Sequence, residues 1–277
     1  MRLVTYNGTA VPGLSDLVRT AVRLHPRPGD PGPDESHFGG PLLWPADEPW
    51  PGCPITWPPE PEASDDAWAA GHQLDQPIPA MVSAAQFFRD DFPELPFPEG
   101  TDLLQVLFCP TEHTSRHYWG PAIRLVWRDS TQITEIADPL PTPDGAQAGY
   151  LPAPCVFEPC MTEELPRVRE LPDDVRTAMG LGEADVDDFE GWPSIEQYSK
   201  IGGWTAWDAS SPQELGCGDC GALMRQTLAF ATEEHDGACG CEIPADEPAG
   251  WTLGRQGVLN VFTCPEDVAH PFKVRID

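Results

Sequence analysis

The chain has 277 residues and carries 45 Asp and Glu against 16 Lys and Arg, a formal net charge of −29. That balance repels phosphate backbones and anionic bilayers, which excludes nucleic-acid or membrane-surface binding through bulk charge and leaves basic, neutral or metal-bearing partners. Hydrophobic residues make up 40 % of the chain, with 10 Trp and 11 Phe, enough apolar area for a core despite the charge.

No run of eighteen apolar residues is present, and residues 1–8 lack the apolar stretch of a signal peptide, so the chain reads as cytoplasmic with no membrane span. Its 34 Pro and 25 Gly punctuate short apolar runs, as expected of a mainly β fold with a minor α+β share rather than of long helices. In chain order, the N-terminal segment 1–35 holds a predicted helix over 16–24, capped by Ser15 and burying Leu17, Val18, Ala21, Val22 and Leu24. Next comes Ser36-His37-Phe38-Gly39-Gly40-Pro41-Leu42-Leu43-Trp44, then a Trp-rich stretch with Trp50, Trp57 and Trp68. That stretch reads first as a loop pinned to the core and second as an aromatic groove. Two apolar runs, 103–110 ending in Cys109-Pro110 and 122–127, read as a hairpin whose first strand stops at proline.

The blocks then recur. Ser199-Lys200-Ile201-Gly202-Gly203-Trp204-Thr205-Ala206-Trp207 repeats the pattern of 36–44, residues 224–230 can be laid on 81–87, and 258–265, ending in Cys264-Pro265, repeat 103–110. Three blocks in one order predict two related β-rich copies, 36–128 and 199–277, packed as one pseudo-symmetric domain. Between them, 129–198 is a Pro-rich acidic connector with a short helix over 172–180, where Pro172 starts the helix, Asp173 and Asp174 sit in its first turn and Gly180 ends it.

These motifs resemble the YwqG-like family, a bacterial domain of unknown function, in particular its longer actinobacterial members. The residues carrying the resemblance are 22–27, 36–45, Glu48-Pro49-Trp50-Pro51 with Cys53, 103–110, 199–203, Cys217-Gly218-Asp219-Cys220-Gly221 and 259–265. The resemblance implies a mainly β fold of two related halves with no established activity. It also implies, by gene neighbourhood in some relatives, a role as an immunity protein against toxins.

Nine cysteines in a chain this long point to thiols or metal ligands rather than a disulfide framework. Cys217-x2-Cys220 followed by Cys239-x-Cys241 approaches the spacing of a four-thiolate structural Zn2+ site, although the second pair is one residue short. Reduced thiols in a turn and a redox pair are the other readings, and His235 is an alternative ligand. Cys53 stands at the related place in the first copy without a second Cys three residues on, so that half is expected to be metal-free. Cys109, Cys155, Cys160 and Cys264 lie in or beside apolar runs and read as core thiols. Outside the cysteines, Glu112, His113 and His117 at the hairpin tip are the candidate catalytic acid/base or ligand residues, weighed against a solvated tip.

The sequence therefore predicts a non-enzymatic binding protein that meets a basic protein partner through its acidic surface, and the resemblance implies an immunity role as its particular form. The alternatives are an enzyme with a cleft between the two copies and a zinc-stabilised structural or adaptor domain.

Overall fold

The computed structural model describes residues 5–6, 9–53, 78–115, 118–141, 143, 145–182, 192, 195–237, 239–243 and 245–277. As expected, the chain is mainly β. A short ribbon of β1 (Thr5–Tyr6) and β2 (Thr9–Ala10) leads through a 3-10 turn at Leu14–Leu17 into β3 (Arg19–Arg23) and β4 (Pro26–Pro28). The helix predicted over 16–24 is thus a turn and a strand. Pairing with partners on both sides satisfies the backbone of β3, and this tertiary pairing overrides a short apolar stripe.

The next strands are β5 (His37–Phe38), β6 (Val82–Phe88), β7 (Leu103–Ser115) and β8 (Tyr118–Arg128). They are followed by β9 (Cys155–Phe157) and β10 (Cys160–Glu164), the helix α1 (Asp173–Met179), and then β11 (Lys200–Gly202), β12 (Arg225–Ala231), β13 (Val258–Thr263) and β14 (Lys273–Ile276). Helix α1 matches its sequence signals. Pro172 precedes it, and Gly180, at φ 74°, turns its amide back to the carbonyls of Arg176 and Thr177. The connector supplies β9, β10 and α1, and Val175 and Met179 of α1 pack with Val11, Leu14, Leu165 and Trp192.

Two six-stranded antiparallel sheets result, ordered β4-β9-β5-β6-β7-β8 and β10-β3-β11-β12-β13-β14. Strands β3 and β4 follow each other in the chain but belong to different sheets, and so do β9 and β10. Both segments cross from sheet to sheet at one corner, where Arg23 pairs with Cys160 and Pro26 with Phe157. Between the sheets lies one apolar core. Phe38 and Phe108 of the first sheet each sit 5.6 Å from Phe230 of the second, and Trp251 completes the cluster, all four with no exposed surface.

The repeated blocks fall on matching strands, 36–44 and 199–207 on β5 and β11, 81–87 and 224–230 on β6 and β12, 103–110 and 258–265 on β7 and β13. The ladder between β6 and β7 slips between Ser83 and Ala85, and that between β12 and β13 slips between Gln226 and Leu228, positions that the block alignment pairs. The two Cys-Pro ends differ. Strand β13 stops at Thr263 as expected, whereas β7 continues to Ser115, with Pro110 inside a register break between Phe108 and Glu112 where no ladder donor is needed. Among the described residues no helix is long and apolar enough to cross a membrane.

Candidate metal centres

None of the nine cysteines forms a disulfide, and eight of them gather with histidines into three groups whose donor atoms all lie within 4.8 Å of one another. The groups are His25, Cys160, Cys239 and Cys241; Cys217, Cys220, Cys264 and His270; and Cys53, Cys109 and His113. The four sulfurs expected in one site are therefore divided. Cys217 and Cys220 join Cys264 and His270, while Cys239 and Cys241 join His25 and Cys160. The Cys-x-Cys pair falls in a different group from Cys217 and Cys220.

The corner centre is assembled by the crossing of the sheets. His25 is the residue between β3 and β4 next to Pro26, with a left-handed backbone at φ 44°. Its Nε2 lies 3.2 Å from Cys160 Sγ and 3.5 Å from Cys239 Sγ. Burial, and next the Arg23 charge, lowers the His25 pKa, which favours the neutral imidazole that a metal requires. Burial followed by the neighbouring Cys241 and Cys239 thiols pushes Cys160 up to about 12. Crowded sulfurs that resist ionising together are the environment a cation reverses.

The second centre is built from two tight turns. Residues 217–222 close a small loop, with the Cys217 amide donating to Ala222 O at 2.8 Å and the Gly221 amide to Cys217 O at 2.9 Å, and Gly221 sits at φ 75°. The Ala222 amide hydrogen-bonds Cys220, yet proton sharing with Cys264 and Cys217 and burial leave the Cys220 thiol at about 11. Burial opposes the Cys264 thiolate, but the Asp267 and Glu266 amides, His270 and Cys220 outweigh it and bring its pKa to about 6. Amides aimed at sulfur after Cys264-Pro265 repeat the arrangement around Cys220. His270 Nδ1 stands 3.5 Å from Cys217 Sγ, Cys220 and Cys264 sulfurs are 3.5 Å apart, and Asp267 lies 4.0 Å from His270 Nε2 on the far side of the ring.

In a tetrahedral site with bonds of about 2.0–2.3 Å, donors lie roughly 3.3–3.8 Å apart. The separations of 3.2–3.5 Å lie at the short end of that range, with all donors of each group within 4.8 Å of one another, so the residues present fit a metal ion.

The third group lies in the first sheet. Cys53 Sγ is 3.3 Å from His113 Nε2, and Cys109 Sγ is 3.2 Å from the Thr111 hydroxyl. Hydrogen bonds from Cys53, then His113 and Thr111, favour the thiolate on Cys109, with Cys53 as the thiol that donates to it. Cys53, expected to lack partners, has Cys109 and His113 as neighbours. His113 faces these sulfurs, whereas Glu112 is exposed, bonded through its amide to Gln147 and through its carboxylate to Tyr150, so these two residues of the expected hairpin-tip site lie in different surroundings. Neighbouring residues on a strand face opposite sides. His117 lies outside the described residues, as do Trp57 and Trp68.

Of the four expected core thiols Cys109, Cys155 and Cys264 are buried in apolar clusters and Cys160 is only partly buried; Cys155 alone lies outside the three groups, donating to Pro248 O at 3.2 Å. His235 is exposed and bonded to Glu233 rather than to sulfur. The signal that could have found the second centre is Cys264-x5-His270; no local signal links His25 to Cys160. Trp44 is buried with its ring 4.9 Å from Trp50, whose indole donates to Met81 O at 2.7 Å and whose side lines a groove of about 610 Å³. No family model matches this chain, and no curated protein matches it.

Proposed function

We propose that the protein is a non-enzymatic binding scaffold, built of two related copies and stabilised by two structural Zn2+ ions. The observation carrying this reading is the pair of four-donor groups, each of three cysteines and one histidine with separations suited to a tetrahedral ion. His25, Cys160, Cys239 and Cys241 would hold one ion and Cys217, Cys220, Cys264 and His270 the other. Three thiolates with one imidazole select zinc among the common divalent ions, and four protein donors leave no position for water or substrate. Zinc would contribute folding energy there, at the sheet corner and over the end of β13. The common strand order and the paired register slips support the two related copies. The net charge of −29 favours a basic protein partner, and the YwqG-like resemblance gives neutralisation of a toxin as the particular form of that role.

Thermal unfolding with and without a strong zinc chelator tests the structural role. Binding energies of structural zinc reach about 10–16 kcal/mol, so stripping is expected to lower Tm by roughly 10 °C or more and Zn2+, but not Mg2+, to restore it. An unchanged Tm after verified metal removal would contradict the reading.

A further inference from the structure

We propose that Cys53, Cys109 and His113, the three donors that meet there among the described residues, form a third metal centre, which binds a thiophilic divalent ion and takes a small exogenous ligand at its remaining position. This goes beyond the structural pair, because an open position allows ligand exchange that a closed four-donor shell does not.

Three observations converge. The donor atoms meet within 4.8 Å, with Cys53 Sγ to His113 Nε2 at 3.3 Å, the spacing of ligands around a tetrahedral ion. The Thr111 hydroxyl, 3.2 Å from Cys109 Sγ, is placed to donate to a ligating thiolate, as outer-shell partners of metal sites do.

The third observation is place. Cys109 follows β7's apolar run as Cys264 follows β13, each before a proline and each with a histidine a few residues on. Cys53 stands 17 residues after Ser36, and Cys217 stands 18 after Ser199. The same three donors are thus set at matching points of both sheets. The fourth differs in the sequence. Three residues after Cys217 comes Cys220, and three residues after Cys53 comes Thr56, which offers no thiolate.

Two cysteines and one histidine make a ligand set that zinc enzymes use when one position must stay open. Cys53, Cys109 and His113 are 4 %, 0 % and 2 % exposed, so the ligand admitted is small: water or hydroxide, or an anion the size of azide. Binding the ion displaces the Cys53 thiol proton to solvent.

The test is titration of reduced, metal-free full-length protein with Co2+, followed by thiolate charge-transfer and d–d absorption and then by addition of azide. Three equivalents are expected in the wild type and two in Cys109→Ser and Cys53→Ser, with azide shifting the d–d bands of the wild type only. Two equivalents in the wild type, unchanged in Cys109→Ser, would overturn the third centre. Three equivalents with bands that azide leaves unmoved would overturn the open position. If the variants fail to fold by circular dichroism, wild-type stoichiometry and azide response still decide. Cys217→Ser and Cys239→Ser count the structural pair separately, so its failure and that of the third centre are read independently.

Discussion

Two buried imidazoles are held in different ways. At His37 the Gly40 amide donates to Nδ1 at 3.2 Å while Nε2 donates to Pro41 O at 3.0 Å, which fixes one neutral tautomer. Burial lowers its pKa to about 4. The unfolded chain therefore takes up this proton first as pH falls from about 6.5, and the stabilisation, complete above that pH, is lost progressively toward pH 4, by up to roughly 3 kcal/mol. Denaturant titrations between pH 4.5 and 7 should show a shallower loss for His37→Gln than for the wild type, and parallel curves would contradict this. His25 instead adopts a left-handed backbone that costs a non-glycine residue about 1–2 kcal/mol, and the sulfurs around its ring supply a reason for that strain. Near it, buried ion pairs join Arg23 to Glu196 at 2.9 Å and Lys200 to Glu164 at 2.8 Å, ordering the sheet beside the corner centre. Neither imidazole's role was legible from its neighbours in sequence, because each depends on groups brought in by strand pairing or by a turn's final shape.

Turns and strands differ in how far their sequence speaks for them. Cys217-Gly218-Asp219-Cys220-Gly221 showed its two-sulfur turn directly, since a local loop with glycine at positive φ needs no distant partner. Helix α1 was equally legible from Pro172, its first-turn acids and Gly180. Strand β3 was not, because a nine-residue apolar stripe serves helix or strand and the pairing with β10 and β11 decides. Pro110 misled for a related reason: it ends a ladder only where its amide position is needed, and the break in β7 removes that need. The turn itself can be tested with Gly221→Val. A β-branched residue at φ 75° costs about 1–2 kcal/mol, so competition with a chromophoric chelator should show Zn2+ affinity at this centre falling roughly tenfold while the corner centre is unaffected. Equal loss at both centres, or none, would count against the turn as the element that presents Cys217 and Cys220.

At the scale of the whole molecule the sequence conveyed the β class and the repeated blocks, because strand runs and turns are local. It could not pair its cysteines correctly. His25, Cys160 and Cys239 are distant in the chain and meet only because β3–β4 and β9–β10 cross at one corner. The charge of −29 acts over the whole surface, and affinity for a basic protein partner should fall as salt shortens the screening length to about 8–10 Å and below. A partner bound equally well at low and high salt, by calorimetry, would remove the electrostatic part of the proposal.

The central claim, that the paired cysteines serve two separate centres, is tested most directly by elemental analysis of zinc in protein purified without chelator, comparing the wild type, Cys217→Ser, Cys239→Ser and the double variant. Two independent centres predict that each single variant loses one equivalent relative to the wild type and the double variant loses two. One shared four-sulfur centre would instead give the same single loss in all three variants, and zinc absent from the wild type would contradict the account altogether.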